Sequence, residues 1–226
     1  MIESLPPSAR VQDFLDRMRT AKRARILFGL DATGSRQPTW DISMRLQSQM
    51  FDEAGKLGTL DVQLIFFRGV MGHGGECNFS KWTSDTRELA NLMARIVCRT
   101  GETQILRVLE HARKEHQRSP INAVVYIGDH CEEPEQTLYD AAAALHAPMF
   151  VFQEDNDMRA ALATPIFQEM ARLSHGAYFQ FRPGAERELA DALRAVAMFA
   201  VGGLTALENS KSEVATKLLT QMKKKD

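Results

Sequence analysis

The loop Asp31-Ala32-Thr33-Gly34-Ser35 follows the apolar run 26–30 and sets one carboxylate and two hydroxyls at alternate positions. Asp129 closes a second apolar run, 123–127, after Gly128, and Thr103, in Thr100-Gly101-Glu102-Thr103, adds a hydroxyl just ahead of a helix-like segment. Carboxylates with hydroxyls, and no accompanying histidine or cysteine pattern, make a hard, oxygen-only donor set. Magnesium suits such a set: it takes octahedral oxygen geometry at about 2.0–2.1 Å, keeps several waters and needs only one or two carboxylates. Manganese and calcium are the alternatives. With two carboxylates among neutral donors, such an ion stays electrophilic and would accept an external carboxylate as its last ligand.

These residues can act together only if the fold gathers them, and the rest of the chain predicts that it does. Short runs rich in β-branched and aromatic residues recur at 26–30, 62–67, 123–127, 149–152 and 177–181, the pattern of strands buried on both faces. Helix-like segments at 41–54, 85–97, 104–117, 135–145 and 165–173 alternate with them. The alternation predicts an α/β fold with a doubly wound, mostly parallel sheet and helices on both faces. One connection differs. Between the run at 62–67 and Glu76 there is no room for a crossover helix, so 76–79 pairs back as an antiparallel edge strand, with Lys81 and nearby glycines discouraging further pairing.

In an open α/β sheet, ligands sit beyond the carboxyl ends of the parallel strands. The antiparallel strand returns the chain to the opposite end of the sheet, and the helix at 85–97 must climb back, delivering residues 99–103 to the ligand end. Connectivity alone therefore brings Asp31, Thr33, Ser35, Thr103 and Asp129 together.

Several boundaries carry their own chemistry. Asp85 with Glu88 reads as a capping box, Pro134 and Pro165 suit first turns of helices, and Gly176 suits a left-handed stop after a helix ending near His175. Residues 11–21 form an amphipathic pattern with Phe14, Leu15 and Met18 on one face, and 185–207 is apolar at helical spacing. The expected organisation is a helical extension at 1–24, one domain at 25–207, and a polar, mobile tail at 208–226.

The run Ile26-Leu27-Phe28-Gly29-Leu30-Asp31-Ala32-Thr33-Gly34-Ser35 resembles the first strand and Asp-x-Ser-x-Ser loop of von Willebrand factor type A (VWA) domains, in an Asp-x-Thr-x-Ser form. Thr103 matches that family's threonine loop and Asp129, in Tyr-Ile-Gly-Asp, its last aspartate. The likeness runs from about Arg25 to Leu207. It implies a Rossmann-like sheet of order 3-2-1-4-5-6 and a metal-ion-dependent adhesion site (MIDAS) formed by Asp31, Thr33, Ser35, Thr103 and Asp129. It also implies a binding module whose ion takes an acidic residue of a partner protein. Intracellular bacterial members of the family often belong to multiprotein assemblies, including those with AAA-type ATPases or stress-response systems. Two departures stand out: Thr33 replaces the commoner serine but keeps the hydroxyl, and Glu102 stands where a second glycine is usual, which leaves Thr100 as an alternative to Thr103.

Composition sets the outer bounds. The 226 residues, 44% hydrophobic and 25% charged, can bury roughly 70% of their unfolded surface, which excludes a disordered chain. Twenty-eight basic against twenty-nine acidic residues leave a formal charge of −1, with no global field toward nucleic acid or anionic lipid. The three cysteines, Cys77, Cys98 and Cys131, lack close pairing and fit reduced thiols. No secretory h-region opens the sequence and no apolar run approaches the roughly 20 residues of a bilayer span, so the expected location is the cytoplasm.

Three other readings stay open at this level. A metal-dependent phosphohydrolase would also place an aspartate after the first strand, although Thr33 stands where its second aspartate is needed as general acid. A scaffold could use the same fold without metal. A zinc site from His73, Cys77, His130 and Cys131 has irregular spacing.

Overall fold

The computed structural model describes residues 23–34, 37–55, 59–70, 75–210 and 212–223; the amphipathic pattern at 11–21, Ser35, Arg36 and His73 lie outside them. Strands β1 (Arg23–Asp31), β2 (Thr59–Arg68), β3 (Glu76–Phe79), β4 (Ala123–Gly128), β5 (Met149–Glu154) and β6 (Ala177–Phe181) form one sheet in the order β3-β2-β1-β4-β5-β6. Every neighbouring pair is parallel except β2 with β3. The helices are α1 (Gln37–Gly55), α2 (Thr86–Met93), α3 (Ile105–Arg118), α4 (Glu135–Ala143), α5 (Ala160–Leu173), α6 (Glu186–Glu208) and α7 (Glu213–Lys223).

Strand alternation divides the core into two layers. From β1, Ile26, Phe28 and Leu30 join Trp40 and Met50 of α1, Leu89 of α2, Val196 of α6 and Leu218 of α7. Leu27 faces the other way, with Val108 of α3, Leu138 of α4 and Phe167 of α5. Each such fully buried side chain stabilises the fold by about 1.5–3 kcal/mol, so both helical layers are held to the sheet.

The helix boundaries depart from the sequence reading where side chains find better partners. Asp85 does cap α2, accepting from the N–H groups of Arg87 at 2.8 Å and Glu88 at 3.4 Å. Glu88, however, binds the Thr83 hydroxyl, and Thr83 rather than Glu88 receives the Asp85 N–H, at 3.1 Å. Thr83 can take that place because its backbone is paired with Val62 on both sides. Pro165 lies inside α5 and not in its first turn, because Asp157 caps the helix earlier, accepting from Arg159 N at 2.7 Å and Ala160 N at 2.9 Å. At the other end of α5 the left-handed residue is His175, with φ 58°, rather than Gly176. The N–H groups of His175 and Gly176 return to Arg172 and Ala171, a Schellman closure. Gly176 is needed for space: a Cβ there would lie 1.9 Å from the Met149 carbonyl oxygen.

Two further expectations are corrected. Much of the stretch expected as a mobile tail forms α7, whose Val214, Ala215 and Leu218 are buried. Its Gln221 pairs with the outer edge of β6, accepting from Tyr178 N at 2.9 Å and donating to Tyr178 O at 2.8 Å. Among the described residues α6 is long and apolar enough to span a bilayer by length and composition, although Gly203, with φ 67° and ψ −161°, breaks it. Its apolar face packs on α1, α7 and the sheet.

Candidate metal centre

At the carboxyl ends of the parallel strands a cleft of about 350 Å³ is lined by Asp31, Thr33, Gly34, Thr100, Gly101, Thr103, Asp129, His130, Glu132 and Arg159. Four of the five donors expected from the sequence therefore share one cleft, and the fifth, Ser35, lies outside the described residues. All four are buried, with exposures of 3% for Asp31, 9% for Thr33, 6% for Thr103 and 1% for Asp129. Thr100 also lines the cleft but is exposed, whereas Thr103 is buried.

The first loop turns on itself at once, with Thr33 N–H donating to Asp31 Oδ1 at 2.7 Å. Backbone bonds then stitch it between its neighbours: Ala32 N to Phe67 O at 2.9 Å and Arg99 N to Ala32 O at 3.0 Å. Gly101 is the other requirement. A Cβ there would lie 2.3 Å from Gly69 N, so only glycine lets the 99–103 loop rest on the end of β2. Glu102 N–H binds Gly69 O at 3.3 Å, and Gln104 Nε2 reaches the carbonyls of Arg68 and Gly69.

Thr103 and the loop after β4 hold each other. Thr103 N–H donates to Glu132 Oε2 at 3.0 Å, while Glu132 N–H donates to Thr103 Oγ1 at 3.2 Å. Glu133 caps α3, accepting from Leu106 N at 2.9 Å and from Ile105 N, a role that Gln104 leaves vacant and that the helix dipole favours. Burial pushes the Glu133 carboxyl up from its ordinary range, opposed by the Leu106, Ile105 and Thr103 hydrogen bonds. The Thr103 hydroxyl thus gives one lone pair to Glu132 N–H, and a hydroxyl has a second that could serve a cation.

Asp129 is fixed just as firmly. Its Oδ1 accepts from His130 N at 2.9 Å, and its Oδ2 accepts from Asn156 Nδ2 at 2.8 Å with His130 Nδ1 at 3.4 Å. Its carbonyl takes Gln153 Nε2 at 3.0 Å. Gln153, fully buried at the end of β5, also binds Ala160 O, the Thr164 hydroxyl and the Tyr178 hydroxyl. His130 Nε2 lies 3.0 Å from Asp157 Oδ1; this hydrogen bond, with those of the Ala160 and Arg159 amides, holds the Asp157 carboxyl below its usual range.

Sequence reasoning missed Gln153, Asn156, Asp157 and Arg159. The available signal was position: all four follow or end a strand at the ligand end of the sheet, and Gln153 is a polar residue in an apolar run. Burial pushes the Cys77 and Cys131 thiols up to about 11, away from the thiolate form; His73 of the zinc reading lies outside the described residues. Among the described residues no group of three His, Cys, Asp or Glu side chains is placed to hold a metal ion by itself. The donor set fits a hard divalent cation drawing on two buried carboxylates, hydroxyls and water.

The strand order, the single antiparallel edge and the placement of the cleft define a VWA-like fold. No family model and no curated protein matches the sequence. Solved structures do match. A VWA protein from Catenulispora acidiphila superposes with a TM-score of 0.62 at 15% identity, over 81% of this chain and 44% of that one. The conserved hypothetical protein BatB from Bacteroides thetaiotaomicron gives 0.58 at 20%, over 77% and 98%. Proximal thread matrix protein 1 from the mussel byssus, with a zinc-occupied MIDAS motif, gives 0.57 at 14%, over 78% and 45%.

Proposed function

We propose that this chain is a metal-dependent protein-binding module. Asp31, Thr33, Ser35, Thr103 and Asp129 would hold a divalent cation, magnesium by the chemistry of the donors, with manganese or calcium as alternatives. The ion would supply an electrophilic site for the carboxylate of a partner protein. The observation that carries this reading is the meeting of Asp31, Thr33, Thr103 and Asp129, from three separate loops, in one cleft. VWA domains are typically binding modules and not catalysts, and the mussel protein's metal-occupied MIDAS supports the choice of site. A cytoplasmic multiprotein assembly, with an AAA-type ATPase or stress-response partner, belongs to the same proposal and rests on the family resemblance.

The test is thermal unfolding after chelation, with and without magnesium, beside Asp31→Ala. A ligand at 100 times its dissociation constant stabilises the native state by about 2.7 kcal/mol, roughly 5–10 °C for a domain of this size. A shift in the parent that Asp31→Ala lacks is expected. An equal shift in both proteins, or none with magnesium, manganese or calcium, would refute the metal site.

A further inference from the structure

Two of the most exposed large apolar side chains among the described residues flank, in sequence, a residue that lines the candidate metal cleft. Met158, in the turn that leads into α5, is 90% exposed, and Leu162, in the first turn of α5, is 75% exposed. Ala161 and Pro165 are exposed beside them. Arg159, between them in sequence, lines the cleft itself. Scattered surface apolar residues are ordinary, but these two stand in sequence on either side of a residue that lines a polar cleft.

This turn is also built to stay in place. Asp157 caps it through Arg159 N and Ala160 N and is bound by His130, Asn156 binds Asp129, and Gln153 joins Ala160 O to Asp129 O. A surface pre-organised in this way binds with less ordering cost than a free loop. These bonds hold Arg159, and with it the exposed start of α5, in a fixed relation to Asp129 and the cleft. The three carboxylates lining the cleft, Asp31, Asp129 and Glu132, make the rim a poor contact for an anionic membrane. A bound divalent cation together with Arg159 would offset those charges and receive a single acid of a partner.

We propose that the start of α5, with the turn that leads into it, is the second half of the recognition surface. The partner is a peptide segment in which an acidic residue is accompanied by a bulky apolar one, the acid meeting the cation and Arg159 and the apolar side chain packing on Met158 and Leu162. This rests on the metal-site reading above.

The test uses fluorescent nine-residue Gly/Ser peptides, one with a single Glu and a set adding one Leu at one to four residues on either side. Binding is followed by anisotropy, in magnesium and in EDTA, to the parent, Met158→Ser/Leu162→Ser, Arg159→Gln and Asp31→Ala. In magnesium the best Leu-bearing peptide is expected to bind the parent at least roughly tenfold tighter than the Glu-only peptide. The double variant should erase that preference while keeping the parent's magnesium-induced thermal shift, and Arg159→Gln should weaken both peptides. Magnesium-dependent binding with no Leu preference, or with a preference that survives in the double variant, would overturn this proposal and leave the metal site standing. A Leu preference that persists in EDTA and vanishes in the double variant would instead overturn the metal reading. Self-association of the parent, abolished by the double variant, would overturn the peptide as occupant in favour of a second copy.

Discussion

Gly101→Ala probes the contact that holds Thr103 over the cleft. The added methyl would lie 2.3, 2.6 and 2.7 Å from N, O and C of Gly69, against about 3.5 Å for a relaxed contact, so the two segments must part by about 1 Å. Both sides of the clash are backbone, and no rotamer can relieve it. Parting them weakens Glu102 N to Gly69 O and the two Gln104 contacts, all at 3.3 Å. Each is worth about 0.5–1.5 kcal/mol at best, and overpacking alone costs about 1–3 kcal/mol. We expect about 2–4 kcal/mol in urea denaturation, roughly 5–15 °C in Tm. Magnesium affinity, from thermal shift against metal concentration, should fall about 10–100-fold, as when a supporting residue of a metal site is lost. Gly184→Ala is the control: its φ is 82° and nothing lies within 4 Å of the added methyl, so it should cost about 1–2 kcal/mol and leave the metal alone. A Gly101→Ala protein with the parent's urea midpoint would refute the packing argument. One that is destabilised yet binds magnesium with unchanged affinity would remove Thr103 from the ligand set.

Two other perturbations test the frame around the site. Burial raises the Glu115 carboxyl, but hydrogen bonds from Trp82 and Arg118 and the charges of His111 and Arg118 outweigh it and hold it below its ordinary value. A depressed carboxylate contributes stability above its unfolded pKa, about 4.3, and loses it as pH falls through the folded value. Glu115→Gln should therefore cost about 1–3 kcal/mol at pH 7 and progressively less toward pH 3; urea melts at both pH values with an equal deficit would contradict this. Gln221→Ala removes both hydrogen bonds to Tyr178, an expected loss of about 1–3 kcal/mol. Hydrogen exchange at the Tyr178 amide should accelerate, and unchanged protection there would show that Gln221 does not guard the β6 edge.

The sheet was legible because its signals are local and repeated: apolar runs, alternating helices and one connection too short for a crossover. The convergence of Asp31, Thr33, Thr103 and Asp129 followed from that topology, since each closes or follows an element at the same end. What escaped was cooperative. That Glu133 would cap α3 depends on where the loop after β4 lands, and nothing in Glu132-Glu133 separates a cap from a solvated charge. Gln153 binds four groups from three segments, a role no sequence window contains. Residues 208–226 read as polar and mobile because α7 contributes only a narrow apolar stripe; its docking depends on the open edge of β6 and on one glutamine whose amide substitutes for a strand.

The hydrogen bonds around Asp129 bear on why the site would want an outside acid. Both of its oxygens already accept, from His130 N and from Asn156, with the His130 ring close by. Asp31 Oδ1 is likewise engaged, by Thr33 N–H. Carboxylates that share their charge with N–H donors offer less of it to a cation than free ones would. The remaining donors, Thr33 and Thr103, are neutral, and Thr103 has one lone pair to give. A cation held here would be positioned accurately and neutralised incompletely, in a cleft whose walls are fixed to one another. The strongest additional ligand available to it is a carboxylate from outside, and Arg159, which lines the cleft, would stand beside such a carboxylate. Affinity for the metal and selectivity for the partner would then rest on different residues, the first on the buried loops and the second on an exposed turn that can vary without disturbing them.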